Sequence, residues 1–190
     1  MSHQSHRQDF GLLILRAGLG GTLAAHGTQK LFGWFGGHGL EGTSGGMEAM
    51  GFFPPRVSAL MAGLGEAGGG VLLALGLATP VAGAAAASTM LAAGSVHKPA
   101  GFFVTQGGFE YTGILGLSGA ALALGGPGHY SLDRLLGDRF NQPWMAVAAL
   151  AVFGSASAAI IARRAKALES SASTSDDQVA EGKEAEATGA

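Results

Sequence analysis

The chain has 190 residues, 47% of them hydrophobic and 13% charged, with a net charge of −2, 34 glycines and no cysteine. Lys and Arg form no stripe that could neutralise phosphates, so nucleic acid is not expected as a partner. Without cysteine there is no disulfide, iron–sulfur cluster, CxxC relay or covalent haem attachment. Ten of the charged residues follow Ala162, which leaves fourteen in the first 162 residues. That sparsity points to one compact membrane domain. A mean hydropathy of only +0.32 reflects the polar tail and the glycines.

In chain order, Met1 to Asp9 is polar. The apolar segment behind it contains Arg16 and no A-x-A-like cleavage site, so it is expected to stay as the first span, Gly11 to Phe35. Arg16, His26 and Lys30 lie inside it, where ionisable groups are costly and usually have a partner or a task. Between Gly36 and Arg56, the order Met47-Glu48-Ala49-Met50, then Phe52-Phe53-Pro54-Pro55, predicts a short interfacial helix with both phenylalanines at headgroup depth. The second span, Val57 to Thr79, has Glu66 as its one charge. Gly63 to Gly68 matches GxGxxG but follows no predicted strand and carries a carboxylate where phosphate would sit, so dinucleotide binding is disfavoured. Gly65 and Gly69 make better sense as helix-packing positions, and Ala84 and Ser88 give the third run a similar small face.

Pro80 opens that third run, Val81 to Val96, and Glu110 to Gly126 gives the fourth. His97 to Phe109 is too broken for a helix and is expected as a loop or shallow re-entrant turn. Past Gly125, Ser131 is a predicted N-cap of a short helix. Trp144 to Ala162 is about 19 uncharged residues, roughly 28 Å as a helix, with Trp144 before it and Arg163, Arg164 and Lys166 after it. From Ser170 the chain is Ser, Thr, Ala, Gly and acid, and disorder is expected. The fold expected is all-α: a four-helix transmembrane bundle plus a fifth C-terminal transmembrane helix. Residues 1–9 form a polar N-terminus, 10–137 the bundle, 138–168 the added helix with its basic flank, and 169–190 an acidic disordered tail.

Depth places the buried charges. His26 lies nine residues before the end of its span and Glu66 nine after the start of its own, so antiparallel neighbours put both about 13 Å from one membrane face. Lys30 lies one turn nearer that face, and His97 and Glu110 flank the loop on the same side. Arg16 stands near the opposite end. Two roles fit the five converging groups. Lys30 with Glu66, and His97 with Glu110, could be structural ion pairs between helices. Alternatively, His26, Lys30, Glu66, His97 and Glu110 line a proton-handling or small-ligand pocket. A bis-His haem on His26 and His97 is disfavoured because His97 sits at a helix end. His3, His6, His38 and His129 are expected to be solvated or interfacial, with no zinc-site spacing.

The ordered set Arg16, His26-Gly27, Lys30-Leu31, Glu66 with Gly68-Gly69, Leu75-Gly76-Leu77, His97, Gly101-Phe102-Phe103, Gly107-Gly108, Glu110, Gly126-Pro127-Gly128 and Ser131-Leu132-Asp133 resembles the DoxX family of small membrane proteins. The resemblance runs from about Phe10 to Gly137. It implies a four-span core, with the helix from Trp144 outside it. Members include small subunits of thiosulfate:quinone oxidoreductase and a mycobacterial protein that assembles with superoxide dismutase and a sulfurtransferase. Two functions follow from it: a quinone-linked oxidoreductase subunit of the cell membrane, or a non-catalytic, stress-response scaffold recruiting soluble redox enzymes. The implied cofactor is a quinone. The implied partners are membrane lipid, a second oxidoreductase subunit or soluble redox enzymes, and further copies of the chain. With five spans, Arg7, Arg134 and Arg139 face one side and Arg56, Lys98, Arg163, Arg164 and Lys166 the other, which places the tail in the cytoplasm.

Overall fold

A computed structural model describes the backbone of residues 3–188 and the side chains of residues 6–174. It is all-helical, with no strand among the described residues. The α-helices are α1 (His3–Phe32), α2 (Gly39–Ala49), α3 (Pro55–Leu75), α4 (Thr79–His97), α5 (Glu110–Gly125), α6 (Leu132–Leu135) and α7 (Pro143–Thr188). α1 packs on α3, α3 on α4 and α4 on α5, while α1 also touches α5; α7 lies against α4 and α5.

Glycine and proline set the boundaries. α1 stops at Phe32, three residues before the expected end, because Gly33 turns into the left-handed region at φ 73°. α3 ends the same way at Gly76, whose N–H caps the carbonyls of Leu72 and Leu73. Thr79, expected to close the second span, instead opens α4, and Pro80 sits in its first turn, where proline suits a helix start, as its place before the third run predicts.

Around a buried core of Leu19, Leu23, Leu73, Met90 and Leu122, the outward faces are apolar too, unlike those of a water-soluble helix. In α3 the residues turned inward include Gly63, Glu66, Gly69 and Gly70, while Leu60, Met61, Leu64, Val71 and Leu75 are exposed. α1 buries Arg16 and exposes Ile14 and Leu15; α5 buries Thr112 and Gly119 and exposes Ile114, Leu117 and Leu124. Apolar surface this continuous is stable only against lipid or another apolar partner. α3, and residues Pro143–Thr174 of α7, are also long and apolar enough to cross a membrane.

Small residues bring the helices together. A methyl group on Gly20 or Gly70 would overlap the facing backbone across the α1–α3 seam, and one on Gly27 would overlap Ala67; Gly83 and Gly119 meet in the same manner between α4 and α5. Gly65 and Gly69, singled out from the sequence, face α4. There a Cβ would lie 3.1 Å from Thr89 Oγ1 at Gly65 and 3.8 Å from the Ala82 carbonyl at Gly69, so the close backbone contact of α3 falls on Gly70, against α1, instead.

Two outer elements differ from expectation. Phe53 is exposed as an interfacial residue would be, but Phe52 is buried with Met47 and Ala59, under the guanidinium of Arg164 at 5.5 Å. Arg164 also donates to the carbonyls of Met50 and Ser95, so this basic residue ties α7 to the α2–α3 turn and α4 rather than only flanking a membrane. Higher up, the Ser88 hydroxyl donates to Phe153 O and the Ser157 hydroxyl to Ser88 O, a reciprocal pair fastening α7 to α4. Beyond Ser170, where disorder is expected, the backbone stays helical to Thr188; residues 189 and 190 lie outside the described residues. The stretch from Ser170 carries five alanines and three glutamates, which favour helix without any core. Residues 169–174 are accordingly exposed.

Candidate functional site

Near the end of α1, its backbone and that of α3 touch at Gly27 and Ala67. One turn along, Lys30 Nζ reaches Glu66 Oε2 at 2.5 Å. The two ends of this pair differ in environment: the Glu66 side chain is 4% exposed and that of Lys30 27%. A carboxylate this far from solvent needs its cation, whereas the lysine stem lets its ammonium approach the surface. Thr43 of α2 donates to the Lys30 carbonyl at 3.2 Å and fixes the helix end above the pair.

His26, one turn below Lys30, turns towards α5. Its Nε2 lies 3.0 Å from the Tyr111 hydroxyl, with the rings edge to face. Tyr111 is exposed and His26 half-buried, so this second pair stands at the outer edge of the α1–α5 seam. Glu66 lies within electrostatic reach of the Tyr111 hydroxyl, which makes the two pairs one neighbourhood graded from buried carboxylate to exposed phenol. Sequence reasoning passed over Tyr111. Its position directly after Glu110, at the start of a span level with His26, was the available signal.

His97 and Glu110 do not pair with each other. His97 Nδ1 lies 2.9 Å from Gly107 O, and Glu110 Oε2 accepts the Val104 N–H at 3.0 Å. Both therefore brace the 98–109 segment, which forms two short 3₁₀ turns, Lys98–Ala100 and Val104–Gln106, around the edge-to-face rings of Phe102, Phe103 and Phe109. Of the five residues expected to converge, the structure joins Lys30 to Glu66 and sets His26 beside them, while His97 and Glu110 hold the adjacent loop.

The opposite end holds a second polar cluster. Arg16 is fully buried and donates to the carbonyls of Tyr130 and, at 3.4 Å, Ala74. Asp133, also fully buried, accepts the N–H groups of Ala78 at 2.8 Å and Thr79 at 3.0 Å, while its own N–H donates to Gly76 O. One carboxylate thus caps the start of α4 and supplies negative charge near Arg16. Ser131 caps α6 through the Arg134 N–H, as its sequence position predicts.

Beyond α6 the chain is held by Asp138, which sits at φ 57° and accepts from Arg134 and Asn141. The Arg134 hydrogen bond, supported by Asn141 and by the charges of Arg134 and His129, outweighs partial burial and lowers the Asp138 pKa from its ordinary value. A carboxylate with a lowered folded-state pKa contributes stability above its unfolded pKa, near 4, and loses it as pH falls through the folded value. Acid titration of the full chain is therefore expected to loosen this turn below about pH 4, and Asp138→Asn is expected to remove that limb from a hydrogen-exchange profile of residues 134–142.

An all-helical chain with apolar outer faces, close small-residue seams and two buried charge clusters defines a helical membrane protein. The family model described as DoxX matches residues 11–99, and that stretch is similar to the DoxX family, in agreement with the motif order from Arg16 to His97. No curated protein and no solved structure matches the chain.

Proposed function

We propose that the protein is a multi-pass subunit of the cell membrane that binds a quinone headgroup at the α1–α5 seam and moves protons there. The observation that carries this reading is the His26–Tyr111 pair at the exposed edge of the seam, backed by the Lys30–Glu66 ion pair. A lipid-soluble ligand enters from the side, where this edge is open, whereas a small oxyanion would need a route from water. A phenol, an imidazole and an ammonium are the donor set that suits a quinone carbonyl, and His and Glu can exchange protons near neutral pH. Bound quinone would supply a two-electron, two-proton couple. The chain has no cysteine to carry electrons, so a partner donates them, while His26 and Tyr111 hold the headgroup and Glu66 and Lys30 fix the charge behind it.

Five crossings suit this placement. The exposed aromatics form two bands: Phe32, Trp34, Phe35, Phe53, Phe102 and Phe103 at the ends that meet near Lys30, and Phe10, Tyr130, Phe140 and Trp144 at the other. Phe10 to Phe32 spans about 33 Å of helix, close to a hydrocarbon core. α7 continues past Ala162 as a helix to Thr188, with exposed side chains over residues 168–174, which favours a second role in recruiting soluble redox enzymes.

Reconstituted protein titrated with decylubiquinone is expected to bind it saturably. Tyr111→Phe is expected to weaken binding about tenfold, the worth of one hydrogen bond at roughly 1.4 kcal/mol. Absence of binding, together with no change in thiosulfate-dependent quinone reduction on Glu66→Gln, would leave recruitment as the function.

A further inference from the structure

Away from the Lys30–Glu66 end, the first turns of α1 and the loop after α5 enclose an open groove of about 540 Å³ lined by His6, Arg7, Phe10, Gly11 and Tyr130. We propose that this groove binds the phosphate of an acidic phospholipid.

Its walls are held in place. The Asp9 carboxylate accepts the His129 N–H at 2.8 Å, and the His6 Nδ1 lies 3.2 Å from the Tyr130 hydroxyl, so α1 and the 126–131 loop are joined on both sides of the groove. Gly128, at φ 76°, lets that loop lie directly on Leu12 and Asp9. The contents are cationic. Arg7 has no carboxylate within ion-pair distance among the described residues, and Asp9, the nearest acid in sequence, is engaged by His129. When Tyr130 donates to His6 Nδ1, the imidazole carries its proton on Nε2 and offers it outward. A guanidinium fork plus an N–H donor is the chemistry that recognises a phosphate oxygen pair.

A lipid is favoured over free phosphate by what lies alongside. Gly11 presents an empty side, with nothing near the position a Cβ would take, and Phe10 and Ile14 are both more than half exposed one turn apart on α1. A headgroup on Arg7 would set its acyl chain along Gly11, Phe10 and Ile14, at the depth marked by Tyr130 and Trp144. Free phosphate would leave that strip uncovered.

The test uses the full chain in detergent, with native mass spectrometry of adducts formed with phosphatidylglycerol and with phosphatidylcholine of identical acyl chains. Phosphatidylglycerol is expected to bind at least tenfold more tightly. Arg7→Gln is expected to abolish that preference, Arg7→Lys to retain part of it, and Arg139→Gln, another exposed cation at this end, to leave it unchanged. Equal binding of the two lipids, or a preference untouched by Arg7→Gln, overturns the proposal. So does displacement of phosphatidylglycerol by low-millimolar inorganic phosphate, which would make this a free-anion site. Arg7 is exposed, so its variants fold, and unaltered melting of the lipid-free variant checks this directly.

Discussion

Asp133→Ala is expected to destabilise the protein by about 3 kcal/mol, with Asp133→Asn losing roughly half as much. The aspartate serves three connections from one fully buried position: two N–H groups at the start of α4, and the charge beside Arg16. Removing the carboxylate leaves buried donors without acceptors, which costs more than the net worth of the bonds when formed. Asparagine keeps one acceptor and so keeps one cap. Arg16→Met approaches the same cluster from the other side, deleting the donor to Tyr130 O while filling most of the volume. The two sites share the Gly76–Tyr130 region, where a methyl on Gly76 would overlap both the Arg16 guanidinium and Ser131. Their losses should therefore be less than additive, with a coupling of about 1 kcal/mol in a double-mutant cycle. Reversible unfolding in mixed micelles measures all four species. A loss below about 0.5 kcal/mol for Asp133→Ala, the range of an ordinary surface substitution, would show that the cap is dispensable.

This cluster also marks where the sequence was legible and where it was not. Arg16 announced itself as a charge in an apolar segment, and the depth argument set it correctly apart from Lys30 and Glu66. Its partners could not be read. Two are backbone carbonyls, which carry no residue signature, and Asp133 looked like part of an ordinary helix start beside Ser131. Lys30 and Glu66 were legible because two charges in otherwise apolar helices have few other ways to be satisfied. The His97–Glu110 pairing failed for the opposite reason: at helix ends, loop N–H and C=O groups compete for the same side chains, and the loop won. Gly65 and Gly69 were chosen by spacing. Spacing defines a face but not which neighbour it meets, and the tighter α1–α3 seam runs through Gly70. The α7 attachment through Ser88, Ser157 and Arg164 was likewise hidden, since three separated polar residues converge only once α4 and α7 are packed.

Exchanging the charges at 30 and 66 separates the brace from the pocket. Each single reversal, Lys30→Glu or Glu66→Lys, places two like charges together on either side of the α1–α3 seam. Breaking a buried pair costs about 3–5 kcal/mol, so each variant is expected to be poorly folded. The double variant, Lys30→Glu with Glu66→Lys, restores one short and one long side chain of opposite sign. Its melting is expected to return to within about 1.5 kcal/mol of the parent, the small remainder being the difference in burial of the two ends. Quinone binding is expected not to return. In the native chain the ammonium is the more exposed partner and sits a turn from His26; after exchange it arises from the buried side of α3, and the carboxylate takes the open side. If the refolded double variant binds decylubiquinone as the parent does, the direction of the pair is irrelevant to the ligand, and Lys30 and Glu66 act only to hold α1 against α3.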